Sequence, residues 1–253
     1  MNMDIIELNI KKNIDTKVKT SFECFLKRNE SYRYRFLQSK YNKVFDGYSY
    51  IGQKDSVNQY ATDMLHSFVL SDFSNINEFP NEFYSFLLND WKKITKNIRQ
   101  YETEIIKKLD NFTLNSLYEN DAIGYMMSCN YYPKIKNLNF LAHDNTRLSL
   151  HKDVSLFTTF PFGISQGLNY FRNNEAVSLG SRDNIFTFPG YFMEFATNHE
   201  YSALSHQVNL PDNSDSERYS FAIFSIPKPN AKFKIGNDEL TGKEYYTKYL
   251  SLF

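Results

Sequence analysis

The stretch Arg147–Phe160, RLSLHKDVSLFTTF, sets His151 and Asp153 two residues apart inside an apolar, β-branched and aromatic run. Residues of this kind build a strand in a packed sheet. An imidazole and a carboxylate placed there destabilise the core unless partners satisfy them. Positions i and i+2 of a strand project to the same side. A metal ion is one partner able to satisfy both, given a third ligand from elsewhere in the chain.

Outward from this stretch the chain divides in two. From Ile123 onward, IGYMMSCNYY, VSLFTTFPF, GLNYF, IFTF, YFMEFA, YSALSHQVNL and RYSFAIFSI read as short strands. Between them NTR, FRNNEA, GSRDN, PG, TNHE and PDNSDSE read as turns or loops. Upstream, Phe83, Phe86, Leu87, Trp91, Ile94, Ile98, Tyr101, Ile105 and Leu109 recur every three or four residues, which predicts one amphipathic helix over 81–109. A shorter helix is expected over 114–119. The first eighty residues have weaker periodicity, although the segment from Lys19 to Asn42 is compatible with helix.

Many short strands after a helical lead-in predict an α+β fold: a barrel or double-sheet jelly roll with helices packed on one outer face. One domain over 1–253 is expected, with a mainly helical lead-in (1–120), a β core (121–230) and a C-terminal tail (231–253) too short for a long lid.

Lys plus Arg equals Asp plus Glu, so the net charge of 0 gives no electrostatic case for nucleic acid or an anionic membrane as partner. Cys24 and Cys129 form no disulfide framework and lack zinc-type spacing. No apolar run reaches membrane-spanning length, and the first residues lack a signal-peptide core. A soluble cytoplasmic protein is expected; oligomeric state is not readable.

The histidines are His66, His143, His151, His199 and His206. Two histidines and a carboxylate on one face, with open coordination positions, are the ligand set of non-haem iron(II) oxygenases. His206, in the strand-like YSALSHQV, suits the third position, whereas His199 reads as a turn. His143 with Asp144 is a competing pair in a polar loop. The H-x-D triplet alone is a weak signal, because such a histidine is commonly a hydrogen-bonded or surface residue. Further along, Arg218 and Ser220 alternate on one face of a following strand, where an arginine fork and a hydroxyl could grip a carboxylate. Asn130 and Tyr132 share a face of an earlier strand.

The pieces NYYPK, HKDVSLFTTF, GLNYF, FTFPGYFMEFATNHEYSALSHQV and RYSFAIFSIPKP, from about Gly124 to Pro229, resemble the iron(II)- and 2-oxoglutarate-dependent dioxygenases of the isopenicillin N synthase-like branch. The resemblance implies a distorted double-stranded β-helix with helices outside. It implies iron(II) on His151, Asp153 and His206, and the distal carboxylate of 2-oxoglutarate on Arg218, Ser220 and Tyr132. Asn130 would line the co-substrate pocket and GLNYF would pack over the site. Reaction with O2 would then oxidise a C–H bond of a small molecule and release succinate and CO2. Hydroxylation or desaturation is favoured over halogenation, because Asp153 would hold the position a halogenase leaves for chloride. Amino acids or amino-acid-derived natural products are the substrate class the resemblance suggests. The twelve-residue spacing from His206 to Arg218 is slightly long for the family, with PDNSDSE as the extra loop.

Three alternatives stay open at this level: a 2-oxoglutarate-independent oxidase or cyclase of the same branch, a metal-free β-barrel binding protein, and a cupin-like zinc or nickel protein. Tyr125, Met127, Arg147, Phe157, Thr159, Arg172 and Phe195 are candidate pocket residues. For Arg147 and Arg172 a solvated loop position is the favoured reading.

Overall fold

The computed structural model describes residues 5–8, 16–41, 43–137, 146–173, 175–212 and 215–252. The strands are β1 (Ile6–Leu8), β2 (Gly47–Ser49), β3 (His66–Ser71), β4 (Ile123–Tyr132), β5 (Thr146–His151), β6 (Phe157–Phe160), β7 (Leu168–Arg172), β8 (Glu175–Ser178), β9 (Ile185–Pro189), β10 (His206–Asn209), β11 (Arg218–Pro227), β12 (Lys232–Ile235) and β13 (Asp238–Thr241). They form a large sheet in the order β1-β9-β6-β11-β4-β3-β2, a small sheet β5-β10-β7-β8, and the hairpin β12-β13.

The central pair of the large sheet fixes the rest. β11 and β4 run antiparallel in unbroken register from Arg218 opposite Tyr132 to Pro227 opposite Ile123. Alternation along both strands gives each face its own job. Met126, Ser128, Asn130 and Tyr132, with Arg218, Ser220, Ala222 and Phe224, line an interior cavity. Met127 and Cys129, with Phe221 and Ile223, join a core shared with Phe22, Phe25, Ile98, Ile106, Leu114 and Leu117 of the helical layer. The small sheet closes the other side: Leu168 and Val208 pack with Phe160, Phe186 and Phe188 of the large sheet. This is the expected α+β jelly roll.

The helices are α1 (Thr16–Leu26), α2 (Glu30–Arg33), α3 (Tyr84–Phe86), α4 (Lys92–Leu109), α5 (Phe112–Glu119), α6 (Tyr191–Ala196) and α7 (Gly242–Leu250). The helix expected over 81–109 begins as a 3₁₀ turn and passes through a π segment, Leu87–Trp91, before α4. Within α4 the expected stripe faces the core, with Ile98 buried and Ile94, Ile105 and Leu109 packed against it; the buried Thr95, Glu102 and Ile106 widen that face beyond the residues expected.

Three expectations need correction. The sheet is not confined to 121–230: the mainly helical lead-in also supplies β1, β2 and β3, which are built into the large sheet. YFMEFA is not a strand but α6, whose first backbone donors serve other loops: Tyr191 N–H bonds Asp153 O at 2.7 Å and Phe192 N–H bonds Ser155 O at 2.9 Å. A short apolar run does not by itself distinguish strand from helix. Gly190 permits this entry, since a Cβ there would lie 2.4 Å from Ser155 O and 2.9 Å from Asp153 O. Finally, YSALSHQVNL contributes only His206–Asn209 as strand.

Candidate metal centre and co-substrate cavity

β5 ends at His151, and the chain then turns, so Asp153 lies in a loop beyond the strand instead of on it. The two still converge: His151 Nε2 is 3.2 Å from Asp153 Oδ1. His206 opens β10 directly opposite His151, with its Nε2 3.5 Å from Asp153 Oδ2. One ligand atom from each of the three lies within 4.8 Å of the others.

The surroundings prepare these atoms as ligands. His151 Nδ1–H donates to Ser149 O at 2.7 Å and His206 Nδ1–H to Leu204 O at 3.1 Å. A carbonyl can only accept, so both rings are held in the tautomer that leaves Nε2 free to coordinate. Thr158 Oγ1 donates to Asp153 Oδ2 at 2.7 Å and is itself 2.7 Å from Ser155 Oγ. Burial works against a charged Asp153, but the two histidines and Thr158 outweigh it and hold the carboxyl below its ordinary value. For His151 burial also opposes charge, and Asp153 outweighs it, so its pKa rises. Burial dominates at His206, pushed down to about 4, which keeps that ring neutral.

The cavity beside this group measures about 410 Å³, and His151, Asp153, His206, Tyr132, Asn130, Arg218 and Ser220 all line it. Arg218 is buried against Tyr132, its guanidinium carbon 5.0 Å from the ring centroid. Among the described residues Nε and both terminal nitrogens have no hydrogen-bond partner within bonding geometry. Burial pulls its pKa down from the ordinary arginine value, with Tyr132 pulling the other way. Ser220 faces Asn130 across the strand pair, and Ser128 Oγ donates to Asn130 Oδ1 at 2.9 Å. A carboxylate is the partner that this arginine lacks. The donor set and the orphaned guanidinium fit iron(II) and 2-oxoglutarate respectively.

Other sequence candidates lie elsewhere. Tyr125, Met127, Phe157, Thr159, Arg172 and Phe195 are absent from the cavity wall. Tyr125 turns outward and donates to Glu102 Oε2 at 2.8 Å. Arg172 is exposed at the end of β7. Arg147 is no solvated loop residue: it is buried in β5 and donates to Pro133 O and Ser216 O. His66 Nδ1 pairs with Tyr48 Oη at 2.8 Å, and His199 Nδ1 with Glu194 Oε1 at 3.2 Å. His143 and Asp144 lie outside the described residues.

Sequence reading missed two walls. The segment between β2 and β3 supplies Lys54, Ser56–Ala61 and Asp63, and α7 supplies Tyr249 and Leu250. Asp63 ties the first wall down, accepting from Ser149 N–H and Oγ–H at 2.9 and 2.7 Å and from Tyr60 N–H at 2.7 Å. The second had a sequence signal, the T-x-x-E capping box at Thr241 and Glu244, which is formed here.

In this jelly roll two histidines and a carboxylate converge on one cavity, the ligand set that non-haem iron(II) oxygenases use. Residues 123–227 match the 2OG-Fe(II) oxygenase superfamily. The fold resembles that of a full-length Neurospora crassa protein in complex with alpha-KG (14% identity, TM-score 0.72, covering 98% of this chain and 85% of that one). It also resembles JOX2 in complex with 2OG, Fe and JA (17% identity, TM-score 0.74, 98% and 78%). A third likeness is the dioxygenase for auxin oxidation 1 of Arabidopsis thaliana in its 2-oxoglutarate complex (13% identity, TM-score 0.64, 85% and 78%). No curated protein matches the sequence. The matched segment, the fold and the donor set are together those of the iron(II)- and 2-oxoglutarate-dependent dioxygenases, and they are consistent with the isopenicillin N synthase-like branch. Among the described residues no helix is long and apolar enough to cross a membrane.

Proposed function

We propose that this chain, acting as one oxygenase domain, hydroxylates a C–H bond of a small molecule, with an amino acid or amino-acid-derived natural product as the substrate class. His151, Asp153 and His206 are assigned as the iron ligands, Arg218, Ser220 and Tyr132 as the grip on the distal carboxylate of 2-oxoglutarate, and Asn130 as a further wall of that pocket. The observation that carries this reading is the buried Arg218, without a hydrogen-bond partner among the described residues, on the wall that also holds His151, Asp153 and His206. It favours 2-oxoglutarate dependence over the oxidase alternative, since Asn130 and Tyr132 accompany the Arg218–Ser220 pair. Cys24 and Cys129, both free thiols, fit a reducing cytoplasmic compartment.

When bound, iron(II) and 2-oxoglutarate supply the oxidising chemistry, with O2 consumed and succinate and CO2 released. The protein's part is position and shielding. Asp153 would hold the metal with a carboxylate and offset its charge, which would favour hydroxylation or desaturation over halogenation. Thr158 orients Asp153, while Ser149 O and Leu204 O orient the imidazoles. Arg218 fixes the co-substrate by its far end, and the 54–61 segment with Tyr249 and Leu250 screens the cavity from water.

Anaerobic titration with Fe(II) and then 2-oxoglutarate, followed by visible absorption, tests the reading. A weak charge-transfer band that needs both additions and disappears in Arg218→Ala is the expected result. Iron binding without the band would replace it with the 2-oxoglutarate-independent oxidase.

A further inference from the structure

Three tyrosines of α7 each donate a phenolic hydrogen bond to a backbone carbonyl, and two of those carbonyls flank Asp153. Tyr249 Oη–H donates to Lys152 O at 2.8 Å and Tyr245 Oη–H to Val154 O at 2.6 Å. The carbonyl between them, Asp153 O, accepts from Tyr191 N–H. Three consecutive carbonyls of a loop that belongs to neither sheet are thus held from outside it. The third phenol, Tyr246, donates to Pro227 O at the far end of β11.

The donors are fixed in turn. Tyr245 is fully buried, its ring centroid 4.6 Å from Phe192 and 5.6 Å from Phe195. Burial pushes the phenols of Tyr245 and Tyr249 well above their ordinary pKa, so they remain protonated donors at neutral pH. α7 is seated by Gly242, where a Cβ would lie 2.2 Å from Lys228 O.

We propose that Tyr245 and Tyr249 are positioning residues for the iron carboxylate: by holding the carbonyls of Lys152 and Val154, the residues on either side of Asp153, they set its reach toward His151 and His206. A loop free at those carbonyls would let the carboxylate swing, and metal affinity falls steeply when the groups that orient ligands are lost. The inference rests on the assignment of Asp153 as an iron ligand.

The test compares the wild type with Tyr245→Phe/Tyr249→Phe, Tyr246→Phe and Asp153→Ala. Fe(II) affinity and the 2-oxoglutarate charge-transfer band are read anaerobically, and apoprotein Tm by calorimetry. Phenylalanine keeps every ring contact and removes only the hydroxyl. The double variant should bind Fe(II) roughly tenfold or more weakly and shift or broaden the band. Tyr246→Phe should lower Tm to a similar degree per bond with unchanged iron affinity. If the double variant lowered Tm but matched Tyr246→Phe in iron affinity and band, the tyrosines would be structural and the proposal overturned. Should the double variant not fold, each single variant carries the same comparison. Asp153→Ala binding iron as tightly as wild type would instead overturn the ligand assignment beneath it, a result recognisable without the tyrosine variants.

Discussion

Arg218 lies over the face of Tyr132 with its guanidinium carbon 5.0 Å from the ring centroid, and none of its nitrogens has a hydrogen-bond partner among the described residues. The ring supplies a cation–π contact, worth about 2 kcal/mol when desolvated. That is small beside the several kcal/mol needed to desolvate an unpaired charge. The apoprotein therefore carries an unfavourable group that the co-substrate would neutralise. We expect Arg218→Leu to raise the Tm of the apoprotein by a few degrees while removing the 2-oxoglutarate charge-transfer band and turnover. Arg218→Lys should keep the charge but lose the fork, raising KM for 2-oxoglutarate by about tenfold or more. A clear fall in apoprotein Tm for Arg218→Leu would instead make the arginine a structural cation.

Thr158 and Asp153 give a second measurement. Thr158 donates one hydrogen bond to the carboxylate, and Ser155 backs it. Thr158→Val keeps the shape and deletes that bond. The expected outcome is Fe(II) affinity lower by about 10–100-fold, with turnover recovering at saturating iron. Thr158→Ser, which restores the hydroxyl, should restore affinity. Equal affinity in Val and Ser variants would show that the bond does not orient the ligand.

How much of this was legible in the sequence depends on the range of each interaction. The β4–β11 pair was readable because strand alternation is local, and it brings Arg218 to Tyr132 and Ser220 to Asn130 in one step. Asp153 was found for a partly wrong reason: it reaches His151 through a turn, which a strand period cannot describe. The stripe of α4 was legible, with Ile94, Ile98, Ile105 and Leu109 against the core, but the π segment Leu87–Trp91 was not, because it leaves no mark on apolar spacing. The roof between β2 and β3 was invisible, since its place is set by Asp63 bonding Ser149, 86 positions away. Arg147 looked like a loop cation because no sequence rule shows that Pro133 O and Ser216 O await it.

Glu102 gives a pH dependence remote from the metal. It is buried on α4, and its Oε2 accepts from Tyr118 at 2.9 Å and Tyr125 at 2.8 Å, while Oε1 has no hydrogen-bond partner within bonding geometry among the described residues. Burial raises its pKa from 4.5 to about 7, although the two phenols pull the other way. A folded pKa above the unfolded one means the fold prefers the protonated acid. The stabilisation is complete below 4.5 and is lost as pH rises through about 7. At about 1.4 kcal/mol per pH unit, the whole effect is on the order of 3 kcal/mol. Urea unfolding at roughly pH 5.5 and 8.5 should show the wild type losing stability relative to Glu102→Gln. Parallel pH profiles for the two proteins would remove Glu102 as the cause.

Asp63 joins the roof to the strand that carries His151. Its two oxygens accept three hydrogen bonds, from Ser149 N–H, Ser149 Oγ–H and Tyr60 N–H. Burial raises its pKa, and the bonds from Ser149 and Tyr60 oppose that rise, so the carboxylate serves as a cross-link between the two segments. Hydrogen bonds to a charged group are worth about 1.5–3 kcal/mol each, and deleting one partner leaves the others exposed to the full cost of burial. Asp63→Ala should destabilise the apoprotein by about 2 kcal/mol or more and free the segment around Lys54–Ala61. Limited proteolysis under native conditions is the direct readout, because a cut within 54–61 requires the roof to leave the cavity. The variant should be nicked there first, with the wild type protected and Fe(II) affinity little changed, as His151, Asp153 and His206 keep their own supports. Nicking at the same rate in both proteins would mean that the roof is held by its other contacts, such as Gln59 Nε2–H donating to Tyr50 O and Leu65 O.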